Sequence, residues 1–397
     1  MKFEFDTLKP TNVSRVFITA LIFLGLFQMY GWAAREAQQV FLVCGTICMV
    51  SLFMKNIWLT LFMMWTVFLY CYSHFQLGQI YLTNIFFGSV LYIFSMISFK
   101  KEHIDKYLTV FLWFVAANIG FSVIQTLGGD WIYKMAMFTK ENGFEGTIDS
   151  NDPCGFMMFR SAYGMLAAMA MPVIMTRRWK TSLWLGLAMF VPIYISSSSV
   201  AVLAGIVAFL FSLWHAPYLL GRVSRYKRLV VVGMAVVLLV GGLWYAAIRD
   251  DHVTSFNARV NQWKLVLGDT VTHPLVGWGL DSYRVVTKDK TWLYAKDPYM
   301  TKDNKLSADI WDNPHNAFVS FVFEWGYIGL FFVVGYIASV FKRFKKANPT
   351  SNAIALFGVF LVTVILSLAH FPLFLARMMC MIVPMMALFE IETERYA

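Results

Sequence analysis

Apolar stretches of about 17–25 residues recur along this chain, and they constrain its fold more than any other feature. A helix of that length crosses the hydrocarbon core of a bilayer, which is about 30 Å thick. Only 14% of the 397 residues are charged, well below the roughly 25% that is usual in soluble domains. The sequence therefore predicts a polytopic membrane protein.

The predicted fold class is all-α, because a helix satisfies its backbone polar groups within the membrane. We predict twelve transmembrane helices, at about residues 15–33, 38–54, 57–74, 80–99, 107–128, 155–175, 181–196, 199–216, 229–248, 316–340, 353–373 and 375–391. They divide the chain into an N-terminal bundle at residues 1–248, a large loop at residues 249–315 and a C-terminal bundle at residues 316–397.

Basic residues predict which side of the membrane each loop faces, because cytoplasmic loops are rich in Lys and Arg. Here these residues gather in alternate connections, in "KKEHIDK", "TRRWK", "GRVSRYKR" and "FKRFKK". Both termini are then cytoplasmic and the large loop faces outward. The same bias accounts for the net charge of +10, so nucleic acid is not an expected partner.

The large loop contains a helical apolar pattern in "SFNARVNQWKLVLGD". Its apolar residues share one face, as in a helix at a membrane surface: Phe256, Val260, Trp263 and Leu267. Arg259 and Lys264 flank that face. Both cations could simply reach lipid headgroups. Alternatively, Arg259 binds the diphosphate of a lipid-borne substrate, for which a guanidinium is better suited than an ammonium.

The next segment, "THPLVGWGLDSYR", places Gly277 and Gly279 on either side of a tryptophan. Glycines allow an unusual turn or a close backbone approach, although an ordinary loop would also contain them. Arg284, at the end of the segment, is a second candidate cation for an anionic substrate.

The segment "DNPHNAFVSFVFEWGYIGL" begins the tenth predicted span. Asn313 is a suitable N-cap and Pro314 a suitable first helical residue, which would put His315 in the first turn at the outer boundary. A helix start favours phosphate, and a neutral histidine there could accept a proton from a hydroxyl nucleophile. The alternative is a boundary histidine without a catalytic role.

Glu324 lies nine residues deeper in the same predicted span, about 13 Å along a helix and on a different face from His315. A carboxylate at that depth is costly and requires a partner. Arg160, in "GFMMFRSAYG", is an arginine at comparable predicted depth. We expect these two residues to pair, either for stability or to orient a substrate.

Three segments together resemble the O-antigen ligase and O-antigen polymerase superfamily. "PHNAFVSFVFEWGYIGL" is similar to its signature, a His-Asn pair at a helix start followed by Glu-x-Gly-x-x-Gly-Leu. "ARVNQWKLVLGDTVTHPLVGWGLDSY" and "GTIDSNDPCGFMMF" also resemble segments of the family. The resemblance covers about residues 145–340.

The resemblance implies an inner-membrane glycosyltransferase of the C type, without metal or other cofactor, whose large loop and active site face the periplasm. It would move a glycan from undecaprenyl diphosphate to lipid A core, as a ligase, or to a second lipid-linked glycan, as a polymerase. By resemblance, His315 and Arg259 are the catalytic residues. Candidate substrate-binding residues are Arg160, Arg284, Asn316 and Glu324.

One departure from the family concerns an arginine that many members carry in a Ser-Arg-Gly element at the outer end of a middle helix. Here the segment reads "SSSSVAVLAG", with Ser199 or Val200 at that place. The difference makes a polymerase or divergent transferase more plausible. A transporter of lipid-linked sugar, using charges such as Arg160 and Glu324 within the membrane, and a structural membrane subunit are the other classes considered.

Overall fold

The computed structural model describes most of the chain between residues 56 and 394. The described residues are 56–72, 79–128, 155–157, 160–177, 181–196, 198–215, 233, 241, 259–260, 262–264, 266–280, 282–288, 314–347, 349–370, 372 and 376–394. The first two predicted spans lie outside them. Of the ninth predicted span, only residues 233 and 241 are described.

The described residues form helices, turns and loops, with no strand among them, which confirms the all-α class for this part of the chain. The first seven helices are α1 (Ile57–Tyr72), α2 (Gln79–Ser98), α3 (Ile104–Gly128), α4 (Arg160–Met175), α5 (Ser182–Ala188), α6 (Phe190–Ile195) and α7 (Ser199–His215). They are followed by α8 (Ser282–Lys288), α9 (Ala317–Ser320), α10 (Gly326–Lys346), α11 (Ser351–Leu366) and α12 (Ala376–Thr393). A π-helical turn, Phe321–Trp325, joins α9 to α10.

Two of the predicted spans differ in detail. The span predicted at 181–196 is split into α5 and α6 at Met189, where Pro192 has no N–H to continue the helical bonding. The span predicted at 353–373 ends earlier, at Leu366. Among the described helices, Lys101–Leu127 and Ala317–Lys346 are long and apolar enough to cross a membrane, and several shorter helices are apolar.

The core forms where α4 packs against α7 and α11. Most side chains of α4 from Ala162 to Met175 are buried, and many are alanines. Such small residues let helices approach closely. On α11, a Cβ at Gly358 would lie 2.4 Å from the side chain of Pro172, so α4 and α11 are in near-backbone contact there. Elsewhere α2 packs against α12, and α1 against α10.

Buried polar contacts join several helix ends at one end of the bundle. We call this group the inner polar cluster, and it consists of Asn56, Lys101, Arg343, Thr350, Glu390 and Glu392. Glu390 accepts from Asn56 at 2.7 Å and from Arg343 at 3.3 Å. Since α10 runs from Gly326 to Lys346, about 30 Å at roughly 1.5 Å per residue, the segment around His315 lies at the opposite end.

Candidate functional site

The helix that follows His315 begins later than the sequence suggested. Asn316 is its N-cap: the side-chain oxygen accepts from the backbone N–H groups of Phe318 at 2.9 Å and Val319 at 3.1 Å. The expectation that Asn313 caps the helix is therefore wrong, because Asn316 satisfies the free N–H groups instead. His315 lies just outside the helix rather than in its first turn.

His315 has a left-handed backbone, with φ of +49°, which is uncommon for a residue other than glycine. Contacts on both sides hold it there. Trp263 donates its Nε1–H to the carbonyl of Pro314 at 2.6 Å. The N–H of Ala317 donates to the carbonyls of Ser367 at 2.9 Å and His370 at 3.2 Å. Such an unfavourable conformation persists when its surroundings determine it, and it often marks a functional site.

The residues 367–370, which follow α11 and which we call the outer turn, meet both predicted catalytic residues. Arg259 donates from Nη1 to the carbonyl of Ala369 at 3.5 Å. The rings of His315 and His370 are 6.1 Å apart and nearly perpendicular, at 80°. All three side chains are only partly buried. We call Arg259, His315 and His370 the site cluster.

The electrostatics of the site cluster favour anions. Burial, followed by the charges of Arg259 and His315, lowers the pKa of His370 to about 3, so this imidazole is neutral at physiological pH. The Nδ1 atom of His315 is buried, so an incoming hydroxyl could not reach that ring nitrogen. The cluster thus combines a guanidinium with two imidazoles on a partly exposed surface.

Arg259 belongs to a helix whose described residues are 259–260, 262–264 and 266–269, here called the loop helix. Its protein-facing side is centred on Gln262, which donates to the hydroxyl of Tyr283, and on Val266, which is buried. Arg259 lies next to that side, whereas Lys264 is about 160° or more from both centres and is exposed. The two flanking cations are therefore not equivalent.

The predicted apolar face of this helix is only partly buried by the protein. Trp263 packs against the core around Phe323, but Leu267 is 40% exposed. Gln262, which lies off the apolar face, is buried. Phe256 lies outside the described residues. Gln262 can face the protein although it is polar, because the hydroxyl of Tyr283 accepts its hydrogen bond.

The segment of residues 274–279, which we call the glycine loop, and the π-helical turn form one unit. The N–H groups of Trp278 and Gly279 donate to the carbonyls of Phe323 and Glu324, at 2.8 and 3.2 Å. In return, Tyr327 N–H donates to the carbonyl of Pro274 at 2.8 Å. The break in the α-helical pattern frees these backbone groups, and the loop satisfies them.

Glycine is required where the two backbones meet. Gly277 and Gly326 have φ of +70° and +69°, a region that other residues rarely adopt. A Cβ at Gly326 would lie 2.1 Å from the carbonyl oxygen of Leu275, and one at Gly277 would lie 2.7 Å from the carbonyl of Glu324. The interpretation of a close backbone approach is thus confirmed for Gly277.

The other candidate residues are less completely described. Glu324 is buried in the π-helical turn, while the side chains of Arg160, in α4, and Arg284, in α8, lie outside the described residues. The Arg160–Glu324 pair therefore stays a prediction. Asn316 is buried and its oxygen already caps α9. Within the described part of the chain, no group of three or more His, Cys, Asp or Glu side chains is arranged to hold a metal ion.

Sequence reasoning missed His370. It fell inside the span predicted at 353–373, where "LAHFP" looked like the end of an apolar helix. A signal was nevertheless present, since a histidine followed by Phe-Pro marks a polar break before a helix-terminating residue. Its proximity to His315 could not be read, because 55 residues separate the two in sequence.

A comparison with known proteins finds a family whose model covers several of these residues. Residues 184–334 match the family model described as O-antigen ligase, whereas no match was found among curated proteins. The matched range contains Arg259, the glycine loop, His315 and Glu324, but not "GTIDSNDPCGFMMF" or His370. The resemblance to the O-antigen ligase superfamily is confirmed. The family match and the apolar helices agree with a membrane protein.

Proposed function

We propose that this chain, whose residues 184–334 match the family model described as O-antigen ligase, transfers a glycan from undecaprenyl diphosphate to an acceptor hydroxyl. The reaction would take place on the periplasmic side of the bacterial inner membrane, with both termini in the cytoplasm. The observation that carries the proposal is the meeting of Arg259 and His315 at the outer turn, within one partly exposed cluster.

The donor substrate determines what the site must provide. Diphosphate leaves readily once its charge is neutralised, so a positioned cation matters more than a strong acid. Arg259 supplies a guanidinium, whose fork of N–H donors fits phosphate oxygens. Its place beside the outer turn, at the opposite end from the inner polar cluster, is compatible with a headgroup at the membrane surface.

His315 is the proposed general base. The acceptor hydroxyl would donate its proton to Nε2 while its oxygen forms a bond to the anomeric carbon. The bond from that carbon to the phosphate oxygen breaks, and its electron pair leaves with the diphosphate held by Arg259. General-base catalysis of this kind contributes about 10²–10⁴ in rate.

Four further residues are proposed to bind substrate. Arg284 is carried by α8, next to the buried Tyr283 that anchors the loop helix. Asn316 would contribute its amide nitrogen, since its oxygen caps α9. Glu324 and Arg160 would pair within the bundle or orient the glycan. No metal or other cofactor is invoked.

Ligase and polymerase remain the two candidate activities. A ligase would use lipid A core as acceptor, and a polymerase would use a second lipid-linked glycan. Ser199 or Val200, at the start of α7, stands at the place of the family arginine, and the lack of that arginine favours a polymerase or divergent transferase. A transporter of lipid-linked sugar is the more distant alternative, and it would leave glycosidic bonds unchanged.

Glycan analysis of a deletion strain tests the proposal. Loss of all glycan from lipid A core would identify a ligase, whereas retention of a single repeat unit would identify a polymerase. An unchanged glycan profile would contradict both activities. Complementation with the wild-type chain provides the control for effects on neighbouring genes.

A further inference from the structure

His370 has no role in the transfer reaction described above, although it is part of the site cluster. It follows α11, which ends at Leu366, in a turn that could have been built from other residues. It also lies beyond the end of the family match at residue 334. Its position therefore requires an explanation from this structure.

The outer turn connects the two proposed catalytic residues through its backbone. Ala317, two residues after His315, donates its N–H to the carbonyls of Ser367 and His370. Arg259 donates to the carbonyl of Ala369, which lies between them. Three carbonyls within four residues thus fix the loop helix and the start of α9 relative to each other. The side chain of His370 is placed at the junction.

The rings of His370 and His315 meet edge to face, at 6.1 Å and 80°. Aromatic rings favour this arrangement at such distances. His315 lies outside the helix on a left-handed backbone, so the helical constraints that restrict rotamers do not act on its ring. A neighbouring ring is one means of limiting its orientations.

We propose that His370 is a positioning residue that holds the imidazole of His315 with Nε2 directed towards the acceptor. Its significance for catalysis rests on the proposed function, but the ring contact itself does not. The charge of the site is consistent with this role. A cation at His370 would be unfavourable beside Arg259, and burial together with its two neighbours keeps the pKa of His370 low, at about 3.

The test compares His370→Ala, which removes the ring, with His370→Phe, which keeps a ring of similar shape without its nitrogens. Purified protein is treated with diethyl pyrocarbonate, and acylation of His315 is followed by peptide mass spectrometry. Exposed His273, which packs against Trp278 in the glycine loop, is the internal reference. In His370→Ala, the imidazole of His315 loses the neighbouring ring that restrains it and becomes more open to the reagent. Its acylation should therefore rise about threefold to tenfold, the effect of losing one aromatic ring contact. In His370→Phe it should stay near the wild-type value, and His273 should be unchanged in both variants.

Transfer kinetics provide the second measurement. In His370→Ala, kcat should fall about tenfold with little change in KM, because orientation rather than binding is lost, and His370→Phe should recover most of the rate. Equal acylation of His315 in all three proteins would overturn the positioning role. So would a His370→Phe variant as slow as His370→Ala, since His370 would then act through its nitrogens. If acylation changes as expected but the wild-type protein transfers no glycan, the positioning stands and the proposed function fails.

Discussion

At the scale of single residues, the main distinction is between Arg259 and Lys264. Arg259 contacts the outer turn through Ala369, whereas Lys264 is exposed on the other side of the loop helix. Both could bind lipid headgroups, but of the two only Arg259 contacts the outer turn, which also meets His315. The hypothesis that Arg259 binds the diphosphate and the hypothesis that both cations bind lipid headgroups therefore predict different effects of mutation.

Arg259→Lys keeps the charge but loses the two-pronged fork of donors. We expect it to reduce transfer on the order of tenfold to a hundredfold, as for the loss of one charge-assisted hydrogen bond, without a change in protein amount. Lys264→Ala is the matched control and should retain nearly full activity. The measurement is transfer by purified protein in liposomes. Equal losses from Arg259→Ala and Lys264→Ala would show that both are headgroup anchors.

The sequence identified residues whose chemistry is visible locally. Arg259 and His315 stood out because a cation beside an apolar face and a histidine beside a proline are unusual in a chain so poor in charge. His370 did not, because its role depends on a contact between distant segments. The helix start was placed at Asn313 rather than Asn316 because both asparagines are good N-caps, and the choice depends on the distant carbonyls of the outer turn.

At the scale of elements, the glycine loop and the π-helical turn support the site together. Their backbones exchange hydrogen bonds between residues 274–279 and 323–328. This unit joins the residues after the loop helix to the start of α10. The stability of this unit should therefore depend on its glycines.

Gly326→Ala should destabilise the protein by about 1–3 kcal/mol from backbone strain alone, since φ is +69° and ψ is −177°. The close approach of the Leu275 carbonyl adds to that cost. The measurement is thermal unfolding in detergent. Gly268→Ala, on the exposed side of the loop helix with nothing within 4 Å of an added Cβ, is the control and should be neutral or slightly stabilising. A Gly326→Ala protein as stable as Gly268→Ala would contradict the close packing.

Glycine spacing alone did not distinguish a close backbone approach at Gly277 from an ordinary loop, and it could not show what the backbone approaches. The partner, Glu324, is 47 residues further along the chain. The π-helical turn was also unpredictable, because the apolar run from Ala317 onward fits an uninterrupted helix. The backbone hydrogen bonds to the glycine loop offset the loss of α-helical hydrogen bonds at the π-helical turn.

At the scale of the whole molecule, the two ends of the bundle have different polar contacts. The inner polar cluster connects α1, α10, α11 and α12, while the site cluster lies at the other end. This polarity agrees with the basic residues near the end of α10. The inner polar cluster can be tested for its contribution to stability, and the two ends can be tested for their orientation in the membrane.

Arg343→Ala leaves the buried carboxylate of Glu390 without its cation and should lower stability by up to about 3–5 kcal/mol, less where water reaches the partly exposed guanidinium. The double variant with Glu390→Gln should recover part of the loss. Asp105→Asn, which removes the solvent-exposed charge that pairs with Arg177 but keeps an acceptor oxygen, is the control and should cost at most about 1 kcal/mol. Thermal unfolding in detergent distinguishes them, and equal losses would argue against a buried inner cluster.

Orientation in the membrane is tested by cysteine labelling in a variant that lacks the five native cysteines. Val271→Cys, exposed near the site, and Lys346→Cys, exposed at the end of α10, are introduced singly. An impermeant maleimide added to intact spheroplasts should label Val271→Cys but not Lys346→Cys. The reverse result would place the site in the cytoplasm.

Composition and charge were enough to predict the helical class, because hydrophobic length and basic loops are properties of local sequence. The described helices follow the predicted spans within about six residues, as where α4 begins at Arg160 and α10 ends at Lys346, except where Pro192 splits one span and where α11 ends at Leu366. Helix neighbours could not be predicted. They depend on contacts such as Gly358 against Pro172, which join segments far apart in the chain.

The most direct test of the account measures glycan transfer by the His315→Ala variant. His315 lies outside α9, so its replacement should leave the helices intact and cost little beyond the strain of alanine at a left-handed backbone, and the variant should accumulate nearly as the wild type does. Transfer from purified undecaprenyl diphosphate-linked glycan in liposomes, at matched protein amounts, should fall by at least about a hundredfold. Wild-type activity in His315→Ala would contradict the general-base assignment and the proposed transfer site.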